Sequence, residues 1–412
     1  MKLLEQRLLM IAYYFPPLGG AGVQRSAKFA KYLARLGWRI EVVSMAPSPF
    51  EPLDQSLAHD VLSERITIRR VPFHSRLRNL DRLPGGWRIR ATMEEWLVFP
   101  DRMRGWLKPA CAAAAEICEA HPGIPVFTTS APYTAHLIGL SLKRNYRSPW
   151  IADFRDEWSQ NPYWRPPTPY HLRKHRAAEK MVLTEADAVV SVTEAITEGM
   201  HGLAPGAAAP FITIPNGFDP EDLLDIEKPD SREYFTITHV GTINQERFRL
   251  LRSLLNTLEA LFAAGRMPRL RLKLVGSGNW EDPQLHNYPW LETTNYLPHH
   301  QALAAMAVSD LAILAEANPA AFTGKIFEYL GLELPVLGLI HPESPAAALI
   351  RRAEAGWVAG LNQDQGLAEI LLNCYQLWEQ RLDLVRIRKD VVREYNRECQ
   401  AKALAELIRR IS

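Results

Sequence analysis

Phe322-Thr323-Gly324-Lys325-Ile326-Phe327-Glu328-Tyr329-Leu330, continued by Pro335-Val336-Leu337-Gly338-Leu339, reads as a loop, a helix and then a buried strand. Lys325 and Glu328 are three residues apart, so they share one face of the first helical turn. Open N–H groups at such a start, with the positive end of the helix dipole, favour a phosphate. Gly324 lets the backbone approach closely, Lys325 adds a point charge, and Glu328 is placed to accept hydrogen bonds from vicinal hydroxyls such as those of a ribose. Phe322 and Thr323 complete the loop. The combination suits a nucleoside diphosphate.

Outward from this stretch the chain is too long for one core: 412 residues make two domains the leading expectation. Hydrophobic content of 47% with 23% charge fits a folded globular protein and excludes a disordered one. A net charge of +2 gives no general call for nucleic acid. Cys111, Cys118, Cys374 and Cys399 lack metal-ligand spacing, and Cys111 and Cys118, seven apart on an expected helix, are read as reduced packing residues. No signal peptide and no apolar run long enough to span a membrane is visible, which makes the cytoplasm the default compartment, with a peripheral position at the inner membrane face as its extension.

Leu8–Tyr14 reads as a buried strand, followed by the turn Phe15-Pro16-Pro17-Leu18-Gly19-Gly20-Ala21-Gly22, a helix to Leu36, and the strand Arg39–Ser44. This βαβ unit places its glycine loop at the carboxyl end of the first strand, where open α/β sheets bind ligands. Further strands are expected at 66–71, 126–130, 150–154, 188–192 and 211–215, with helices at 109–120, 132–145 and 170–186 between several of them. Turn residues around Pro215–Pro220 mark a boundary. A second series follows at 235–241, 270–275, near 294–297, 311–315 and 335–340, closed by helices at 365–379 and 397–410. The fold class is α/β, with a parallel sheet in each half.

In segment 65–108, Arg65, Arg69, Arg70, Arg76, Arg78, Arg82, Arg88, Arg90, Arg102 and Arg104 alternate with Trp87, Trp96, Phe99 and Trp106. Cationic and amphipathic aromatic side chains together suit an anionic lipid surface. The plainer reading is a solvated region with aromatics packed beneath.

Gly19, Gly20 and Gly22 can bring backbone up to a diphosphate or an acceptor sugar, but the order G-x-G-x-x-G is absent and a plain dinucleotide site is disfavoured. Thr128–His136 and Ile151–Trp158 end two strands and carry Arg155 and Asp156, which can bind hydroxyls or form a structural pair. Gly241-Thr242-Ile243-Asn244-Gln245-Glu246-Arg247 and Val275-Gly276-Ser277-Gly278 are strand-end turns of the second half. No D-x-D tripeptide occurs, and His299-His300 is a poor ligand pair, so no metal is expected.

The stretch around Glu328, with the "PV" after it, resembles the donor-binding segment of retaining glycosyltransferases of the GT-B fold, family 4, and the similarity extends over most of the chain. The resemblance implies two Rossmann-like domains with a deep interdomain cleft: residues 1–218 on the acceptor side, 219–395 on the donor side, and a helix from 396 to 412 crossing back to the first. It implies sugar transfer with retention from a nucleotide diphosphate sugar, with no further cofactor, to a glycan or lipid-linked acceptor of surface polysaccharide synthesis. Gly241, Gly276, Phe322, Thr323, Gly324, Lys325 and Glu328 would hold the donor, and Tyr296-Leu297-Pro298 its base. The family's pattern is broken in three places. Arg155, beside Asp156, stands where relatives carry a histidine. Thr242 replaces the diphosphate arginine, which leaves Arg247 as the substitute cation. The usual first glutamate falls on Ala320, with Glu316 as the nearest acid for sugar contact. Asp156, Arg155, Lys325 and Glu316 are therefore the catalytic candidates. A nucleotide-sugar 2-epimerase on the same fold and a non-catalytic glycan-assembly partner are the competing readings.

Overall fold

The computed structural model describes residues 6–47, 53–73, 77, 80, 85–162, 164–227, 233–276, 278, 285, 288–319, 322–360 and 364–412. The chain forms two α/β units, Met1–Pro215 with Glu398–Ser412, and Asn216–Arg397. The division falls within a few residues of 218/219 and 395/396. Phe218 belongs to the second unit because it packs in that unit's core, and its backbone exchanges hydrogen bonds with Tyr395 and Arg397.

The first unit is built on β1 (Arg7–Ile11), β2 (Arg39–Met45), β3 (Ile66–Val71), β4 (Val126–Ser130), β5 (Trp150–Phe154), β6 (Ala188–Ser191) and β7 (Phe211–Thr213). All pair in parallel, in the order β3-β2-β1-β4-β5-β6-β7. Such a sheet needs apolar residues on both faces, and the strands supply them with period two. Leu9, Ile11 and Tyr13 join the layer of helices Leu107–Ala120, Thr134–Tyr146 and Pro169–Glu185. Leu8, Met10 and Ala12 meet helix Ala21–Arg35 and the closing helix Arg397–Ile411, whose Leu404, Leu407 and Ile408 are buried there. The strand order reverses between β1 and β4, which leaves a crevice at their carboxyl ends.

The second unit repeats the plan with β8 (Phe235–Val240), β9 (Leu270–Val275), β10 (Leu291–Thr294), β11 (Leu311–Glu316), β12 (Val336–Ile340) and β13 (Gly356–Ala359). These strands are parallel in the order β10-β9-β8-β11-β12-β13, so the reversal lies between β8 and β11. Ala312, Leu314 and Val336 pack on one face with helices His299–Ala307, Lys325–Gly331 and Pro345–Arg352. Ile313, Leu337 and Leu339 pack on the other with helices Gln245–Ala263 and Asp364–Glu379. Two strands differ from expectation. β10 lies three residues earlier than the reading near 294–297, because this edge strand is mostly exposed and carries Glu292 and two threonines rather than an apolar run. The edge strand β13 has four residues and was not anticipated.

The arginine-rich segment splits in two. Arg69 pairs with Glu116 at 2.8 Å, Arg70 bonds Ser44 Oγ at 2.7 Å and the Pro16 carbonyl, and Trp106 is fully buried. Of these only Trp106 belongs to the core; Arg69 makes a surface ion pair and Arg70 is half-buried. Helix Gly86–Leu97 instead exposes Trp87 (60%), Ile89, Trp96 and Leu97 (71%). Arg76, Arg78 and Arg82 lie outside the described residues. Among the described residues no helix is long and apolar enough to cross a membrane.

Candidate functional site

In the second unit, the ends of β8, β9 and β11 and the start of helix Lys325–Gly331 bring most of the sequence-derived residues together. Lys325 Nζ lies 2.8 Å from Glu328 Oε2, and Glu328 is buried. The second oxygen of Glu328 faces His299 Nδ1 at 3.7 Å, and His299 Nε2 lies 3.1 Å from Asp222 Oδ2. Arg247 is held in place by its own helix start. Asn244 caps the helix by accepting the Arg247 N–H, and the guanidinium reaches the Thr242 carbonyl at 2.9 Å and Glu316 Oε2 at 2.6 Å. Glu316, the last residue of β11, also accepts the Asn318 N–H at 3.1 Å. Two cation–carboxylate pairs thus stand at the sheet's reversal point.

Among the described residues, three buried polar atoms of this unit have no hydrogen-bond partner: Arg247 Nε, Thr323 Oγ1 and His239 Nε2. Each such atom costs about 1–3 kcal/mol unless a ligand or solvent satisfies it. His239, near the end of β8, lies 3.0 Å from the Ile313 carbonyl through Nδ1. A carbonyl only accepts, so Nδ1 carries the proton and Nε2 is a bare acceptor. Burial, reinforced by the charges of Arg247 and Lys325, lowers its pKa to about 4. That shared influence places His239, Arg247 and Lys325 in one electrostatic neighbourhood. Beside it, the Tyr329 hydroxyl accepts the Val240 N–H at 3.1 Å, and burial raises its pKa.

Gly241 and Gly276, at the ends of β8 and β9, cross at close range: a Cβ on Gly276 would lie 2.2 Å from the Gly241 carbonyl oxygen, and its φ of 136° is unsuited to other residues. Space around Gly324 is open. Its helix has seven residues, so charge at this site comes from side chains more than from a long dipole. Phe322 turns its ring onto Phe327 and Tyr395, a packing role that leaves only its backbone to face a ligand. Ser277 and Ala320 lie outside the described residues.

In the first unit, the Gly19–Gly22 loop does meet the end of β5, but through structure. Arg155 donates to the carbonyls of Ser130, Gly22 (2.5 Å) and Ala131 (2.7 Å), and burial depresses its pKa. A Cβ on Gly22 would come within 2.9 Å of that guanidinium. Arg155 therefore staples two strand-end loops together through main-chain carbonyls. Asp156 beside it is exposed. Beneath the loop, Arg25 forms a fully buried pair with Asp153 at 2.7 Å, extended by Thr129 Oγ1 on Asp153 and by the Pro215 carbonyl on Arg25. His136 is buried under the sheet, bonded to Thr128 Oγ1 at 2.8 Å, with its pKa lowered to about 3 by burial, so it is a packing residue.

His299, His239 and the Arg25–Asp153 pair escaped the sequence reading. His299 reads only as half of a poor metal-ligand pair with His300, and His239 stands alone in sequence. Arg25 and Asp153 are 128 residues apart, and only the position of each at a strand or loop end offered a signal.

Residues 19–217, nearly the whole of the first unit's main segment, match the model of the glycosyl transferase 4-like domain. Solved structures extend the likeness to both units. HepE from Anabaena, determined with UDP and glucose, is 15% identical over 98% of this chain and 99% of its own, with a TM-score of 0.67. Sucrose-phosphate synthase from Thermosynechococcus elongatus is 15% identical over 98% and 99%, with a TM-score of 0.64. WaaG, a glycosyltransferase involved in lipopolysaccharide biosynthesis, is 14% identical over 97% and 99%, with a TM-score of 0.62. No curated protein matches the sequence. Residues 19–217 are thus a glycosyl transferase 4-like domain, and the chain has the GT-B fold of the glycosyltransferases, with two Rossmann-like units.

Proposed function

We propose that this protein transfers a sugar, with retention and without a metal, from a nucleoside diphosphate sugar to a glycan or lipid-linked acceptor in surface polysaccharide synthesis. The observation that carries the reading is the pair of buried unsatisfied groups, Arg247 Nε and Thr323 Oγ1, in the same unit-2 site as the Lys325–Glu328 pair. A diphosphate would take hydrogen bonds from both, and Lys325 has two N–H donors beyond the one given to Glu328. Gly241 and Gly276 would admit the phosphates to the backbone, Glu328 would accept from the ribose, and Glu316 from the transferred sugar. HepE, solved with UDP and with UDP-glucose, supports this donor class. The C1–phosphate bond breaks as the acceptor oxygen attacks from the same face. The acceptor proton passes to the departing phosphate oxygen, and the cations stabilise the charge left on the nucleotide.

The acceptor would meet the first unit, where Asp156 stands exposed at the end of β5. Exposed Trp87, Ile89, Trp96 and Leu97 on helix Gly86–Leu97 suit peripheral contact with an anionic membrane, consistent with a cytoplasmic enzyme working on a lipid-linked substrate. Calorimetry with UDP and GDP on the wild type and Glu328→Gln tests the donor assignment; equal affinity for every nucleotide in both proteins would refute it. The anomeric configuration of the product, read by proton NMR, tests retention.

A further inference from the structure

A cavity of about 370 Å³ lies wholly within the first unit, between helix Gly86–Leu97 and the loops that follow β4 and β5. Its size is at the lower end of the range typical of small-molecule sites, roughly 300–1,000 Å³. One wall is aromatic. Tyr133 stacks on Trp158 with ring centroids 4.7 Å apart and planes at 5°, and Trp164 leans on His175 at 4.5 Å. The wall is locked: Trp158 Nε1 donates to His175 Nδ1 at 2.9 Å, and Tyr133 donates to the Glu157 carbonyl. Because Nδ1 accepts, the neutral His175 ring carries its proton on Nε2, and burial holds its pKa at about 4.

The other wall is polar. Glu94, Glu95, Asp101, Arg102 and Asn161 line it. Asp101 is committed to the N–H groups of Met103 and Thr134 and to the Thr134 hydroxyl, and Glu94 to Arg90 at 3.4 Å. Glu95 is exposed at the rim. Three carboxylates against one arginine make the lining acidic, which suits a neutral or amine-bearing ligand and disfavours phosphate or carboxylate. A flat aromatic wall opposite hydrogen-bonding groups matches a pyranose, whose C–H face is apolar and whose rim is hydroxylated.

We propose that this cavity is the subsite that reads the acceptor's terminal pyranose, neutral or amino-substituted, stacked against Trp164 with hydroxyls toward Glu95 and Asn161. It rests on the transferase reading and deepens it. The same helix lines the cavity with Ala91, Glu94 and Glu95 and exposes Trp87, Ile89, Trp96 and Leu97 outside that lining, where the lipid portion of an acceptor would lie.

The test uses the full-length protein with methyl glycosides of glucose, galactose, mannose, glucosamine and glucuronic acid, followed by saturation-transfer NMR and titration. Glu95→Gln and Trp164→Ala are the variants, and UDP and GDP binding is measured in parallel. At least one neutral or amino glycoside binds the wild type and is weakened about tenfold or more by both substitutions, the glucuronide binds least, and nucleotide affinity is unchanged. Binding indifferent to both substitutions, preference for the glucuronide, or no binding by any glycoside overturns the proposal while nucleotide binding keeps the transferase reading intact. Glycoside binding lost in the variants, with no nucleotide bound by any protein, would instead sink the transferase reading and leave the cavity a sugar site.

Discussion

Glu328 and Arg155 are both charged groups at strand-end loops, yet their surroundings give them opposite tasks. Glu328 shares its two oxygens between Lys325 and His299, both of which can move to a ligand without leaving a backbone group exposed. Glu328→Gln keeps the volume but weakens acceptance from a ribose, so the nucleotide Kd should rise about tenfold with the melting temperature nearly unchanged. Arg155 satisfies three backbone carbonyls. Arg155→Ala should therefore cost about 2–4 kcal/mol in urea unfolding, with any loss of activity following the loss of fold. A variant as stable as wild type but inactive would return Arg155 to the chemistry. The Lys325–Glu328 pair was legible in sequence because helical geometry alone puts residues three apart together. The work of Arg155 was not, since its partners are main-chain oxygens, which carry no sequence signature. His299 was hidden for a related reason: its contacts to Asp222 and Glu328 span 77 and 29 residues and follow no local period.

Among the elements, the glycine turns at the ends of β8 and β9 leave little room for change at Gly276. Gly276→Ala would drive a methyl carbon into the Gly241 carbonyl, and both loops would have to separate. The expected result is a loss of about 1–3 kcal/mol in stability together with weakened nucleotide binding, read by thermal unfolding and calorimetry. Gly324→Ala, where space is open, should be tolerated far better in stability; similar losses at both positions would contradict the geometry. Central strands such as β4, β5 and β9 match their sequence-derived limits: β4 and β5 are buried at every position, and β9 alternates leucines with Arg271 and Lys273, a pattern of period two. The edge strands β10 and β13 differ. Leu291-Glu292-Thr293-Thr294 and Gly356-Trp357-Val358-Ala359 each have one neighbour and a part-exposed surface, so their composition signals little. The segment 65–108 shows the same limit for aromatics: Trp106 and Trp96 look alike in sequence, but one is buried beneath Tyr13 and the other is exposed against His171.

For the whole molecule, acid should be a more sensitive probe than salt. His136, His175 and His239 have folded pKa values of about 3, 4 and 4, each lowered chiefly by burial. In the unfolded chain they protonate near pH 6.5, so between about 6.5 and 4 the unfolded state binds more protons. Their contribution is intact above pH 6.5 and is lost as pH falls toward 4, by up to about 1.4 kcal/mol per pH unit for each group. Asp101 and Glu179, whose pKa values burial raises, oppose this at the acid end of the window. Urea midpoints measured from pH 7.5 to 4.5 should fall steadily; a flat profile would mean that these imidazoles are solvated.

The polypeptide leaves the first unit after Pro215 and re-enters it at Glu398, and the two crossing segments lie side by side where Phe218 bridges to Asn396. The second unit is therefore an insertion with adjoining ends. Residues 216–397 can be expressed as an uninterrupted gene fragment, whereas the other half requires a short artificial splice to restore its closing helix. Tags at the amino and carboxyl termini both decorate the same lobe. A fluorophore pair placed there reports on that lobe alone, so following the inserted one needs a dye within 216–397.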